Sequence, residues 1–382
     1  MLLSLAAFAS AASMRVTDAL LPRLSQQFHV GLAQAANVIT VFAVAYGVMQ
    51  IAFGPLGDRF GKLRVISLAA IGASVATVFC LLAPTFEMFL VGRTLAGALC
   101  GSIIPLAMAW IGDVVPYERR QPVLARFLIG QILGIGGGAA VGGFAAESAE
   151  WRWPFAVLAA WLFVSAVFLL RESRRDPAPL RTGKSRFYQD LFNVARTPWA
   201  RVVIGTVSIE GVIVFGALAF IPTHLHFARG FPMSHAGLAM LTFSGGGIAF
   251  ALFAKQAVQT LGEVGLAIAG TILLALGLAL AAWTPFAAAA PTGALVGGLG
   301  FYMLHNTLQT NATQMAPQHR GAGMALFASM FFLGQSAGIA AAGFVAESFA
   351  PIYVLVAASL AILPVGFTFA FRKRSALQRE SS

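Results

Sequence analysis

Long apolar blocks separated by short polar turns fill almost the whole 382-residue chain. A bilayer core about 30 Å thick is crossed by roughly 20 helical residues. Twelve blocks come near that length, at 1–22, 33–54, 65–83, 86–111, 123–146, 153–170, 199–222, 237–254, 264–283, 287–311, 321–346 and 351–371. The apolar residues run continuously. This predicts membrane helices, not barrel strands, which would alternate apolar and polar over about ten positions. The one long polar interruption, "RESRRDPAPLRTGKSRFYQDLFNVARTP", spans 171–198 and divides the blocks six and six. The chain is therefore expected to form a bundle at 1–171, a linker at 172–198 and a second bundle at 199–382. Inside the linker, "FYQDLFNVA" is apolar at helical spacing and is expected to lie along the membrane surface.

Composition fits that picture. The chain is 58% hydrophobic and 10% charged, where a soluble domain carries about 25% charged residues. The net charge of +11 changes the picture only through its placement. The even-numbered turns with their flanks, and the tail, hold nearly all the cations: Arg59, Lys62 and Arg64; Arg119, Arg120 and Arg126; the run from Arg171 to Arg201; Lys255; Arg320; and Arg372 to Arg379. The opposite side has Arg23, Arg152 and Arg229. Basic loops stay on the cytoplasmic side, so both termini and the linker are expected in the cytoplasm of a multi-pass bacterial inner-membrane protein. No soluble face clusters the basic residues, so nucleic acid is excluded as a partner. The expected partners are membrane lipid, a small-molecule substrate and protons, with the chain working as a monomer.

Other functional classes lack their residues. Cys80 and Cys100 lie in separate blocks at different depths and suggest neither a disulfide nor a metal site. No phosphate-binding loop is present, and no Ser or His stands in a nucleophile context, so neither an enzyme nor a cofactor is expected. The opening "MLLSLAAFASAASM" has no basic n-region and runs straight into "RVTDALLP", which favours a first span over a cleaved signal.

The two halves repeat. "GFAAES" at 143–148 returns as "GFVAES" at 343–348, and "GQILGI" at 130–135 as "GQSAGI" at 334–339. Pro22 and Pro222 each close a block, Gly61-Lys62 is echoed by Gly262-Glu263, and Pro116 with Arg119-Arg120 by Pro317 with Arg320. A parallel repeat about an axis along the membrane normal follows. Glu147 and Glu347, at the ends of repeat-related blocks, are expected to be wetted helix ends. The halves differ at Asp18 against Leu218, Ser10 against Glu210, Arg93 against Gly293, and Pro105 against His305.

The first even-numbered-side turn reads "GPLGDRFGKLR", 54–64. It resembles the loop signature of the major facilitator superfamily, with Gly54, Gly57, Asp58, Arg59, Gly61, Lys62 and Arg64 on the pattern. The resemblance implies an all-α integral membrane fold of 12 helices in two pseudo-symmetric six-helix bundles. It also implies a gating loop in which Asp58 meets a neighbouring helix N-terminus, where the dipole favours an anion. "RTLAGALCG" at 93–101 is similar to the family's fourth-span motif, with Ala96 in place of the usual Gln. "GQILGIGGGAAVGG" at 130–143 is similar to the fifth-span antiporter motif at Gly130, Gly134, Gly138, Gly142 and Gly143, with Ala139 in place of its Pro. A stripe of glycines also serves close helix packing, which stands as the alternative to an antiporter role.

Charges inside the membrane are costly, which makes them functional candidates. Arg15 and Asp18 share a helix face in "MRVTDALLP", a stretch similar to the first-span segment of drug/proton antiporters. Arg93 lies roughly 12 Å inside its block, taking 1.5 Å per residue, and is expected to join Arg15 and Asp18. That cluster is either a proton-coupling site or a static ion pair. Glu210 stands alone at mid-block and would stay protonated until a cation or water reaches it; it is either a proton-coupling group or a structurally hydrogen-bonded Glu. Near it in function are the cavity candidates His305, Asn306 and Gln309, then Tyr46 with Gln50, and the repeat-related Gln131 and Gln335. The expectation is a proton-coupled exporter of small drug-like or amphipathic compounds. A proton-coupled transporter of one metabolite, such as a sugar, amino acid or organic anion, is the alternative.

Overall fold

Lipid offers no hydrogen bonds, so an apolar segment crossing it must satisfy its own backbone, and the helix does so within one segment. The computed structural model describes residues 2–175, 187–283 and 289–381, and no strand occurs among them. The helices in chain order are α1 Leu2–Arg15, α2 Leu21–Phe28, α3 Leu32–Phe60, α4 Lys62–Leu82, α5 Phe86–Cys100, α6 Ile103–Val114, α7 Tyr117–Glu147 and α8 Trp153–Ser173. They continue as α9 Phe187–Arg196, α10 Pro198–Glu210, α11 Gly216–Arg229, α12 Met233–Trp283, α13 Ala289–Gln314, α14 Arg320–Ser348 and α15 Pro351–Ser381. Among the described residues, nine helical stretches are long and apolar enough to cross a membrane. Their outer faces are apolar and exposed, as at Val75 (64%), Leu252 (71%) and Phe371 (72%). On a wetted surface such faces would aggregate; in lipid they are solvated.

Several expected boundaries move. The first block does not run unbroken to Pro22. Helix α1 stops at Arg15, a turn follows, and α2 restarts at Leu21 with Pro22 in its first turn. Nor does the seventh block end at Pro222, which lies inside α11. The eighth and ninth blocks form one assigned helix, α12, interrupted at Gly262, whose φ of 61° leaves the helical region. Gly61, its repeat partner, has φ 90° and makes the turn between α3 and α4. Only glycine takes such angles without strain. Part of the expected linker, 176–186, lies outside the described residues; "FYQDLFNVA" forms most of α9.

Packing follows the small residues. Helix α7 lies on α1, and the glycine stripe is in register with it. A Cβ at Gly130, Gly134, Gly138 or Gly142 would meet the carbonyl of Ser4, Phe8, Ala12 or Val16 respectively. The stripe thus serves backbone contact within the first half. Gly143 instead faces Met233 and Gly237 of α12. In the second half the thinner ladder of Gly334 and Gly338 packs α14 on Ser208 and Val212. The halves meet along two helix pairs, α3 with α14 and α7 with α12.

Candidate functional site

The break after Arg15 is the first element of the site. The last regular bond of α1 runs from the Val16 N–H to the Ala12 carbonyl (2.9 Å). Tighter turns follow, from Asp18 N–H to Arg15 O and from Leu20 N–H to Thr17 O, both 3.1 Å. Unwinding at membrane depth is tolerated only where protein groups take over the freed carbonyls. Arg93 does this. Its Nη1 donates to the Ser13 carbonyl at 2.8 Å, its Nε to Val38 O at 3.2 Å and its Nη2 to Thr17 Oγ1 at 3.4 Å. The guanidinium lies 4.2 Å from the centre of the Phe42 ring. Arg93 is therefore a clamp on α1 and α3 rather than a hydrogen-bond partner of Asp18.

Arg15 and Asp18 do meet, at 3.2 Å between Nη1 and Oδ2, and both are buried. Arg15 also reaches the other half of the chain. Its Nη2 donates to Gln335 Oε1 at 3.4 Å, and it lies 4.3 Å from the centre of the Phe215 ring. The second oxygen of Asp18, Oδ1, has no protein partner. Asp18 lines a cavity of about 10 Å³ together with Arg15, Ala139, Leu218 and Phe243. That is the space of about one water molecule.

The second element is Glu210. Helix α10 ends on it, and a π-helical turn, Gly211–Phe215, carries the chain into α11. Such turns insert an extra residue and re-aim side chains, often where function lies. Glu210 is fully buried, and its Oε2 lies 2.8 Å from His305 Nδ1 on α13. Its Oε1 has no protein partner. The His305 ring stacks among Phe301, Phe327 and Phe331, at 5.0, 5.5 and 4.6 Å between centroids. Phe215, at the end of the π turn, touches Phe301 and Phe331 and also carries Arg15, so it joins the two charged sites.

Glu210 reads as isolated in the sequence because its partner lies 95 residues away. A signal was nonetheless present, since both residues break the internal repeat. The other cavity candidates are spread more widely. Tyr46 is buried against Phe332, 4.3 Å between centroids, and Gln50 is buried with Oε1 unpartnered. Gln335 is fully buried, Gln131 and Gln309 are half-buried, and Asn306 is exposed.

In the 54–64 turn, Lys62 Nζ bridges Asp58 (2.9 Å) and Asp113 of α6 (2.7 Å). Gly57 lies against Leu106 and Gly54 beside the Phe187 ring of α9; Arg59 and Arg64 are exposed. At the repeat-related position of the second half the sign is reversed and the partners differ. Glu263 takes the place of Lys62 and accepts from Lys373 (3.0 Å) and Asn311 (2.7 Å). No group of His, Cys, Asp and Glu among the described residues has the arrangement of a metal site.

A family model described as the Major Facilitator Superfamily matches residues 3–339. An uncharacterised transporter of that superfamily type, YwfA of Bacillus subtilis, is 26% identical over 99% of this chain and 93% of its own length. The multidrug resistance protein MdtL of Shigella dysenteriae is 29% identical over 51% of this chain and 50% of its own. Among solved structures, a bacterial homologue of the human lysosomal transporter Spinster, in an inward-facing, occupied conformation, superposes with a TM-score of 0.74. It is 18% identical and covers 97% of this chain and 95% of that one, a likeness of fold.

Proposed function

Because this chain belongs to the Major Facilitator Superfamily, it is a transporter and not an enzyme, and we propose that it exports small drug-like or amphipathic compounds in exchange for protons. The observation that carries this reading is a pair of buried carboxylates, Asp18 and Glu210, each with one oxygen lacking a protein partner. Each sits at an irregular point of the first helix of its half, where that helix can change shape. A carboxylate so placed binds a proton at low cost when access opens and releases it when a cation or water arrives. Around them Phe215, Phe243, Phe301, Phe331 and Phe332 form a largely apolar wall, which selects loosely among substrates.

Twelve spans in two bundles complete the proposal. Counting α12 as two segments about Gly262, and adding Leu2–Phe28 and Ala289–Gln314, brings the nine long stretches to twelve. The basic turns support a topology with both termini and α9 on the cytoplasmic side of a bacterial inner membrane. The two bundles rock about the central site to give alternating access. The contacts of α3 with α14 and of α7 with α12 near their periplasmic ends support a state closed on that side.

The test is transport in proteoliposomes with an acidic lumen. Adding a cationic amphipathic drug should alkalinise the lumen. Asp18→Asn or Glu210→Gln should abolish the response. Unchanged coupling in both variants refutes the assignment. Dependence on one metabolite, with no drug response, favours a metabolite transporter.

A further inference from the structure

The two repeated hexapeptides carry Glu147 and Glu347 as their fifth residues, which read in the sequence as wetted helix ends. In the structure each one crosses to the other half. Glu147, the last residue of α7, accepts a hydrogen bond through Oε1 from the backbone N–H of Ser234 at 2.9 Å. Glu347, near the end of α14, accepts through Oε2 from the backbone N–H of Ala33 at 2.7 Å. Ser234 and Ala33 are the second residues of α12 and α3. The two contacts are therefore the same contact, made once in each direction across the molecule.

The receiving helices are built to need an outside cap. The first N–H groups of a helix have no partner in it, and its N-terminus favours negative charge. A Ser, Thr, Asp or Asn just before the helix would normally supply the acceptor. Here Gly31 precedes α3 and Pro232 precedes α12, and neither has a side-chain acceptor. The missing cap comes from the opposite half. Gly31 also leaves the room: a Cβ there would run into the Glu347 carboxylate. Beside the other contact, Gly143 brings the backbone of α7 against Met233 and Gly237.

We propose that Glu147 and Glu347 form a two-fold latch holding the periplasmic mouth shut, and that opening to the periplasm breaks both contacts. They are positioning residues of the transport cycle. They touch no substrate, and they set the balance between its two access states.

The test measures that balance directly. Nitroxide labels on the full-length protein at Glu87→Cys and Tyr353→Cys report the distance across the periplasmic mouth by pulsed electron resonance. Cys80 and Cys100 are buried away from the label. Losing one helix cap shifts such an equilibrium by about fivefold. Glu147→Ala or Glu347→Ala alone should raise the ratio of long-distance to short-distance populations by that factor, and the double variant by its square. Glu147→Gln with Glu347→Gln keeps an acceptor at each site and should restore part of the closed population. An unchanged distance distribution in the double alanine variant overturns the latch. The measurement uses neither drug nor proton gradient, so its failure is distinct from failure of the export proposal.

Discussion

Arg93→Met separates two roles that a buried arginine can play. Methionine keeps much of the volume and removes every donor. The three acceptors of Arg93 then fare differently. Val38 lies inside the unbroken helix α3, so its carbonyl keeps its helical partner. The Thr17 hydroxyl bond is long, at 3.4 Å, and contributes least. Ser13 is the serious loss: α1 ends two residues later, so its carbonyl is among the orphans at a helix end, and Arg93 meets it at 2.8 Å. An orphaned buried carbonyl costs about 1–3 kcal/mol. A cation at a partly buried helix C-terminus contributes up to about 2 kcal/mol, which is lost as well. Relief of the buried charge offsets part of this, and the net loss should be about 3 kcal/mol. Thermal unfolding of the purified protein in detergent reads it. Arg93→Lys, which keeps the charge and one donor, should recover about half. Wild-type stability in Arg93→Met, together with an altered pH dependence of transport, would refute the clamp and make Arg93 a tuner of Asp18.

Two further outcomes follow from the geometry. His305→Ala leaves the buried Glu210 carboxyl without its one protein partner, which should cost about 1–3 kcal/mol, the usual cost of an unsatisfied buried polar group; adding Glu210→Met, which removes that group, should recover most of it. A double-mutant cycle by thermal unfolding that shows additive effects would mean the 2.8 Å contact carries no coupling. Gly138→Val drives a side chain into the Ala12 carbonyl and should destabilise by at least about 1–3 kcal/mol, whereas Gly205→Ala meets no atom within 4 Å and should be neutral or stabilising in the same assay.

Reading the sequence located most of the helices, because lipid imposes helix on any long apolar run and that constraint is local. It also located the internal repeat, the charges at Arg15, Asp18, Arg93 and Glu210, and the turn at Gly61-Lys62. It did not reveal the break after Arg15 or the π turn after Glu210. Both depend on partners from elsewhere: Arg93 for the freed carbonyl of Ser13, and the packing of Gly211 and Gly216 against Phe331 and Gly338. The pairing of Glu210 with His305 was out of reach for the same reason, although the mismatch of both residues with the repeat marked them.

The chain by itself determined what each segment is: a helix, and the side of the membrane its basic ends prefer. The tertiary structure alone decided which faces meet. Helices that are apolar all round carry almost no periodic signal of the direction they face, so neighbours are chosen by backbone approach at glycines and by satisfaction of buried polar groups. Glu147 and Glu347 illustrate the division. Their repeat is legible in two hexapeptides, but their partners, Ser234 and Ala33, appear only when the two halves are brought together.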